Sequence, residues 1–99
     1  MDYTVSWSPE AVEDIEEIAG YIGKDSPLYA QQVVEELIAS SRRLSQFPER
    51  GRRVPEIISH RECFVYSYRL IYRIEDRQVL IVAVIHGKRL VASLDRFSS

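Results

Sequence analysis

The chain has 99 residues with 45% apolar composition, enough for one hydrophobic core and too few for two, so a multidomain machine is excluded and residues 1–99 are read as one domain. Thirteen Lys and Arg against 15 Asp and Glu leave a formal net charge of -2, which argues against bulk attraction to nucleic acid or anionic membrane. The average hides a split: residues 1–36 carry nine acids and only Lys24, a balance of -8, whereas residues 37–99 balance at +6. The second part is therefore able to offer a basic face to an acidic partner. Cys63 is the sole cysteine, so no intramolecular disulfide or cysteine-rich metal site is expected, and no metal or cofactor is expected elsewhere. The N-terminus has no signal-peptide pattern, and the longest apolar run, Val79 to Ile85, is far too short for a bilayer span. A cytoplasmic protein with no membrane partner is expected.

In chain order, Tyr3 to Trp7 alternates large apolar with small polar residues, the period of a strand with one buried face. Ser8-Pro9-Glu10 supplies a capping hydroxyl, a proline suited to the first turn and an acid favoured by the helix dipole, so a helix starts here. Ala11, Ile15, Ile18 and Ile22 form its inner stripe, and acids fill its outer face. Gly23 is expected in the left-handed C-terminal conformation, and Ser26-Pro27 repeats the helix-start signal. The second helix, with Ala30, Val33, Val34, Leu37, Ile38, Ser41 and Leu44 on its inner stripe, is predicted to run to about Gln46 before Pro48. Phe47 to Glu56 reads as an exposed basic loop.

Strand chemistry follows. Glu62 to Tyr66 and Tyr68 to Ile74 are aromatic and β-branched, with Tyr68, Leu70, Tyr72 and Ile74 on one face and Arg69, Ile71, Arg73 and Glu75 on the other. Glu75 to Gln78 suits a hairpin turn, and Val79 to Ile85 reads as a strand covered on both faces and placed centrally. Leu90 to Phe97 has length for a strand extension or one or two helical turns. The order gives an α+β fold: an N-terminal strand, a two-helix hairpin, a mainly antiparallel sheet of three or four strands, and a short C-terminal tail.

Five segments in order, Trp7-Ser8-Pro9-Glu10-Ala11, Phe47-Pro48-Glu49-Arg50-Gly51-Arg52, Val54-Pro55-Glu56, Tyr68-Arg69-Leu70-Ile71-Tyr72-Arg73-Ile74 and Val84-Ile85-His86-Gly87-Lys88-Arg89, resemble the RelE/ParE superfamily of toxins over nearly the whole chain. The resemblance implies the toxin of a type II toxin-antitoxin pair, often called a plasmid stabilisation protein, held in a hetero-oligomer by a cognate antitoxin. Two activities follow from its branches: RelE-like members look like endonucleases that cut mRNA on the ribosome, and ParE-like members resemble inhibitors of DNA gyrase that need no catalytic site.

RNA cleavage through the 2′-hydroxyl needs a base, cations for the phosphorane and an acid for the leaving oxygen. Glu56 after Pro55 and Arg69 before Leu70 match the base and phosphate-binding positions that the resemblance implies. His86 lies one residue away from the acid position, and one residue in a strand turns a side chain to the opposite face. The His-Gly-Lys-Arg ending is closer to the ParE-like pattern. Target-binding candidates are Arg50, Arg52, Arg53, Arg69, Arg73, Lys88 and Arg89; the plainer reading is pairing with acids such as Glu75, or solvation. Val12, Ala19, Val34 and Ile38, beside the main helical stripes, are candidates for an antitoxin groove, or else core. A sheet edge offers a second docking mode, strand addition.

Overall fold

In a computed structural model, which describes residues 2–89, 91 and 94–97, β1 (Thr4–Trp7) leads into α1 (Pro9–Gly23) and α2 (Pro27–Arg43). Four strands follow: β2 (Arg52–Val54), β3 (Ile57–Val65), β4 (Tyr68–Glu75) and β5 (Gln78–His86). Both helix starts are as the sequence predicts. Ser8 Oγ accepts from Ala11 N at 3.1 Å and Ser26 Oγ from Tyr29 N at 3.1 Å, each ahead of a proline that has no N–H to lose.

The five strands form one sheet in the order β1-β5-β4-β3-β2, antiparallel except for the parallel β1–β5 pair. It is one strand larger than expected, because the stretch Phe47 to Glu56 is not all loop: Arg52 and Arg53 pair with Glu62 and Arg61 on β3. Three residues with two arginines show no apolar alternation, so the pairing has no local signal, and charged residues are what a sheet edge tolerates. β3 also begins at Ile57 rather than Glu62, and Tyr66 belongs to a turn. Gly23 does not adopt a left-handed conformation. No described glycine has positive φ; α1 ends through Lys24 in the right-handed region, with Asp25 N and Ser26 N donating to Ile22 O. α2 stops at Arg43, and single turns carry the chain on, Leu44 N donating to Ser41 O and Ser45 N to Arg42 O. The predicted Asp76-Arg77 turn is present, with Asp76 at φ 53°.

Both helices pack on one sheet face. Ala11, Val33 and Leu37 meet Leu70, Tyr72, Val79, Ile81 and Val84 there, with Ile15, Ile18 and Ile22 alongside. The opposite face buries Val54, Ile71, Val82, Ala83 and Ile85 under Val91, Leu94 and Phe97. Thus β5 is covered on both sides, although it lies second in the sheet and β4 takes the middle. Pairing jumps from Ile71↔Ala83 to Tyr72↔Ile81, so Val82 is an extra residue, and it and Ala83 both turn to the second core. The tail makes a 3₁₀ turn at Asp95–Phe97; Leu90, Ala92 and Ser93 of the predicted tail segment lie outside the described residues.

Tyr72 joins the core to the basic segment. Its fully buried hydroxyl donates to Pro48 O at 2.7 Å and accepts from Gly51 N at 2.9 Å, and burial raises its pKa to about 12. Tyr72→Phe leaves both backbone groups without that partner, and a loss of about 1–3 kcal/mol is expected. Urea unfolding should show a lower midpoint with an unchanged slope.

Candidate functional site

Alternation along β4 sends Arg69 to the sheet face opposite the helices, and the two-residue turn between β2 and β3 brings Glu56 above it. The two side chains meet as a fork on a fork: Arg69 Nη1 donates to Glu56 Oε2 at 3.1 Å and Nη2 to Oε1 at 3.0 Å. Arg69 Nε donates to Glu62 Oε1 at 2.6 Å, and the other Glu62 oxygen accepts from Arg52 Nε at 2.8 Å. The result is a row of alternating charge, Arg52, Glu62, Arg69, Glu56, in which the Glu62 side chain is 0% exposed and that of Arg69 is 6% exposed. The Arg52 guanidinium also lies 5.0 Å from the centre of the Phe64 ring. The backbone oxygen of Arg89 accepts a longer bond from Arg69 Nη1, at 3.4 Å.

The electrostatics follow the contacts. Hydrogen bonding to Arg69 holds the Glu56 carboxyl below its ordinary pKa, and the Arg69 pKa is raised, first by Glu56 and then by Glu62 against the opposing effect of burial. A depressed carboxylate contributes stability above its unfolded pKa, and this contribution is lost as pH falls through the folded value. Wild type should therefore exceed Glu56→Gln in stability most near neutrality, and the gap should close below the ordinary carboxylate range. Urea unfolding of both proteins across pH 7 to 3 checks this; a constant gap would deny the ion pair.

The structure brings Glu56 and Arg69 together and keeps His86 apart. His86 pairs with Tyr68 in the sheet and shares its helix-side face, with the two rings edge to face at 5.8 Å, while its Nδ1 accepts from Lys88 N at 3.2 Å. Arg69, expected also as a surface contact, is buried behind two carboxylates. Arg73 takes the plainer role: its Nε lies 3.0 Å from Glu75 Oε1, an ion contact whose N–H is not aimed at the oxygen. Arg50, Arg52, Arg53, Lys88 and Arg89 are exposed, with Arg53 donating to Ile58 O. Val12 is exposed on α1, and Ala19, Val34 and Ile38 are half-buried on the helical hairpin.

Glu62 is the residue that sequence reasoning missed. It sits opposite Ile71 and diagonal to Arg69, so only the β3–β4 register reveals the pairing. A glutamate directly before the apolar stretch Cys63-Phe64-Val65, inside a strand pattern, was the available signal.

Known proteins share this architecture. A model of the ParE toxin of the type II toxin-antitoxin system parDE matches residues 5–91. Toxin RelE2 of Caulobacter vibrioides is 37% identical over 87 residues, covering 87% of this chain and 97% of that protein. Among solved structures, the chromosomal ParDE system of P. aeruginosa superposes with a TM-score of 0.74 at 18% identity, over 87% of this chain and 97% of that one. The RelBE2 toxin-antitoxin complex of Mycobacterium tuberculosis gives 0.62 at 28% identity, over 87% and 99%. A family match spanning most of the chain, a curated relative of nearly equal length and the shared fold lead to one conclusion: this chain belongs to the ParE toxin family of type II toxin-antitoxin systems, within the RelE/ParE superfamily.

Proposed function

We propose that this chain is a binding toxin that acts in the cytoplasm on DNA gyrase and is neutralised in a hetero-oligomer with a cognate antitoxin. The observation that carries this reading is the state of Arg69. An arginine that stabilises a phosphorane needs its fork free for phosphate oxygens, and here one edge is filled by Glu56 and Nε by Glu62. His86, on the other sheet face, brings no acid to that position. The exposed arginines around the row leave a surface suited to contact rather than to proton transfer. Solved relatives described as ParDE and RelBE2 assemblies support the antitoxin partner.

A second reading, a ribosome-dependent mRNA endonuclease, draws on the contact of Glu56 with Arg69 and on likeness to a protein named Toxin RelE2. One experiment separates them: purified toxin is added to a gyrase supercoiling reaction and, separately, to translating ribosomes whose mRNA ends are mapped. Loss of supercoiling with intact mRNA is expected. Cut mRNA ends with the wild-type protein, together with unimpaired gyrase, establish the second reading and end the first.

A further inference from the structure

β1 pairs with β5 only as far as Ile81, and beyond it α1 lies along the end of β5. Asp14 fastens the helix there. Its Oδ2 accepts from Val84 N at 2.9 Å, and the same carboxylate takes both Arg96 Nη groups, at 2.8 and 3.0 Å. One turn further along α1, a cavity of about 340 Å³ opens between Glu17, Ile18 and Tyr21 on the helix and Tyr68, Val84 and His86 on the sheet. That volume lies at the lower end of the range for small-molecule sites, about 300–1,000 Å³. Tyr68 and His86 share the helix-side face, so the cavity is separate from the charge row of Arg52, Glu62, Arg69 and Glu56.

Its walls are aromatic. The Tyr68 and His86 rings stand at 80° to one another with centres 5.8 Å apart and form a corner, and Tyr21, 74% exposed, comes from the helix as a third wall. His86 Nδ1 accepts from Lys88 N, and an accepting nitrogen carries no proton, so this ring adds a π surface without a charge. Burial first, and then the neighbouring Tyr29 and Tyr21, raise the Tyr68 pKa, which keeps that ring neutral as well. Ile18 and Val84 supply an aliphatic floor. Of the two carboxylates at the cavity, Asp14 is occupied by Arg96, whereas Glu17 has no cation partner among the described residues. α1 has no basic residue, and residues 1–36 balance at -8. Arg89, which is exposed, also lines the cavity and opposes this field.

We propose that this cavity binds a methylated ammonium ion of the choline class. Ring faces carry negative charge density and attract a cation within about 6 Å of the ring centre, the means by which aromatic cages recognise quaternary ammonium groups. Glu17, one helical turn before Tyr21, supplies the balancing negative charge. A primary ammonium needs partners for three N–H donors and a guanidinium for five, whereas these walls are rings and aliphatic groups. A quaternary ammonium has no donor to satisfy and presents methyl groups to them. The acidic field of α1 disfavours an anion. The inference does not rest on which target the toxin meets.

The test uses the full chain and three ligands followed by NMR. They are choline, the neutral alcohol with a tert-butyl group in place of trimethylammonium, and ethanolamine, which lacks the methyl groups. Choline is expected to bind about tenfold more tightly than either, with its methyl resonance moved upfield by ring currents. Tyr21 is exposed, so its replacement spares the fold: Tyr21→Leu should weaken choline binding about fivefold, and Tyr21→Phe, which keeps the ring, by less than about twofold. Glu17→Gln should weaken it about threefold, and Arg89→Gln, which removes the opposing charge, should tighten it. Equal binding of the tert-butyl alcohol would reduce the cavity to an apolar hollow, and equal binding of ethanolamine would leave only a general attraction to α1. Either result, no saturable binding of choline, an unchanged affinity in Tyr21→Leu, or weaker binding in Arg89→Gln would overturn the proposal.

Discussion

Arg69→Ala is expected to lower folding stability by about 3–5 kcal/mol, the usual cost of breaking a buried ion pair from one side. The loss comes less from the absent attraction than from what remains. Glu62 is 1% exposed as a residue and would keep a carboxylate in the sheet with only Arg52 beside it, whose side chain is 59% exposed. In a domain whose whole stability is about 5–15 kcal/mol this is a large fraction. Replacing both members by apolar side chains, Glu62→Leu with Arg69→Met, removes the stranded charge and should restore most of the stability, since such swaps are often neutral or stabilising. Urea unfolding of the single and double variants decides the matter. A double variant no better than Arg69→Ala would mean that packing by the arginine stem, not charge, holds this face.

The same contrast bears on how activity assays are to be read. An Arg69→Ala toxin that fails to act has an unfolding explanation as well as a chemical one, whereas the double variant separates them. If the folded double variant acts as the wild type does in those assays, the charge row serves the architecture; if it folds and is silent, the row shapes the contact surface itself.

How much was legible before the structure depended on the range of the interaction. Both helices announced themselves through Ser-Pro starts and a 3.6-residue stripe, because capping and amphipathicity are written within one or two turns. The β4–β5 hairpin was equally local, two strong strand patterns joined by a polar pair. β2 was not, because three residues including Arg52 and Arg53 become a strand only when β3 lies beside them. The site divides in the same way. Glu56 and Arg69 were proposed together through resemblance, while the resident position of Glu62 between two arginines depends on register across two strands. Gly23 misled for a related reason: glycine permits a left-handed helix end but does not impose one, and the backbone of Lys24 continues right-handed instead.

Gly51→Ala is expected to be the most damaging single methyl in the chain. A Cβ there would lie 2.6 Å from Glu62 O, 2.7 Å from the Tyr72 hydroxyl and 2.9 Å from Tyr72 Cε1. Gly51 does not have positive φ, so the requirement for glycine is one of space. Neither neighbour is a flexible side-chain end: one is backbone in the β3 strand, and Tyr72 is 0% exposed in the core. Relief comes from lifting the segment, which breaks the bond from Gly51 N to Tyr72 and the 2.8 Å bond from Arg61 Nη1 to Gly51 O, and draws Arg52 away from Glu62. Forced overpacking costs about 1–3 kcal/mol, and each buried polar group left unmet about 1–3 kcal/mol. Gly20→Ala is the control: nothing lies within 4 Å of its Cβ, and in the body of α1 the change should raise stability by about 1 kcal/mol. Thermal or urea unfolding should move in opposite directions for the two variants. A Gly51→Ala protein as stable as wild type would show that Gly51 does not lie against Tyr72 and Glu62, and with it the path of the chain away from β3 would be lost.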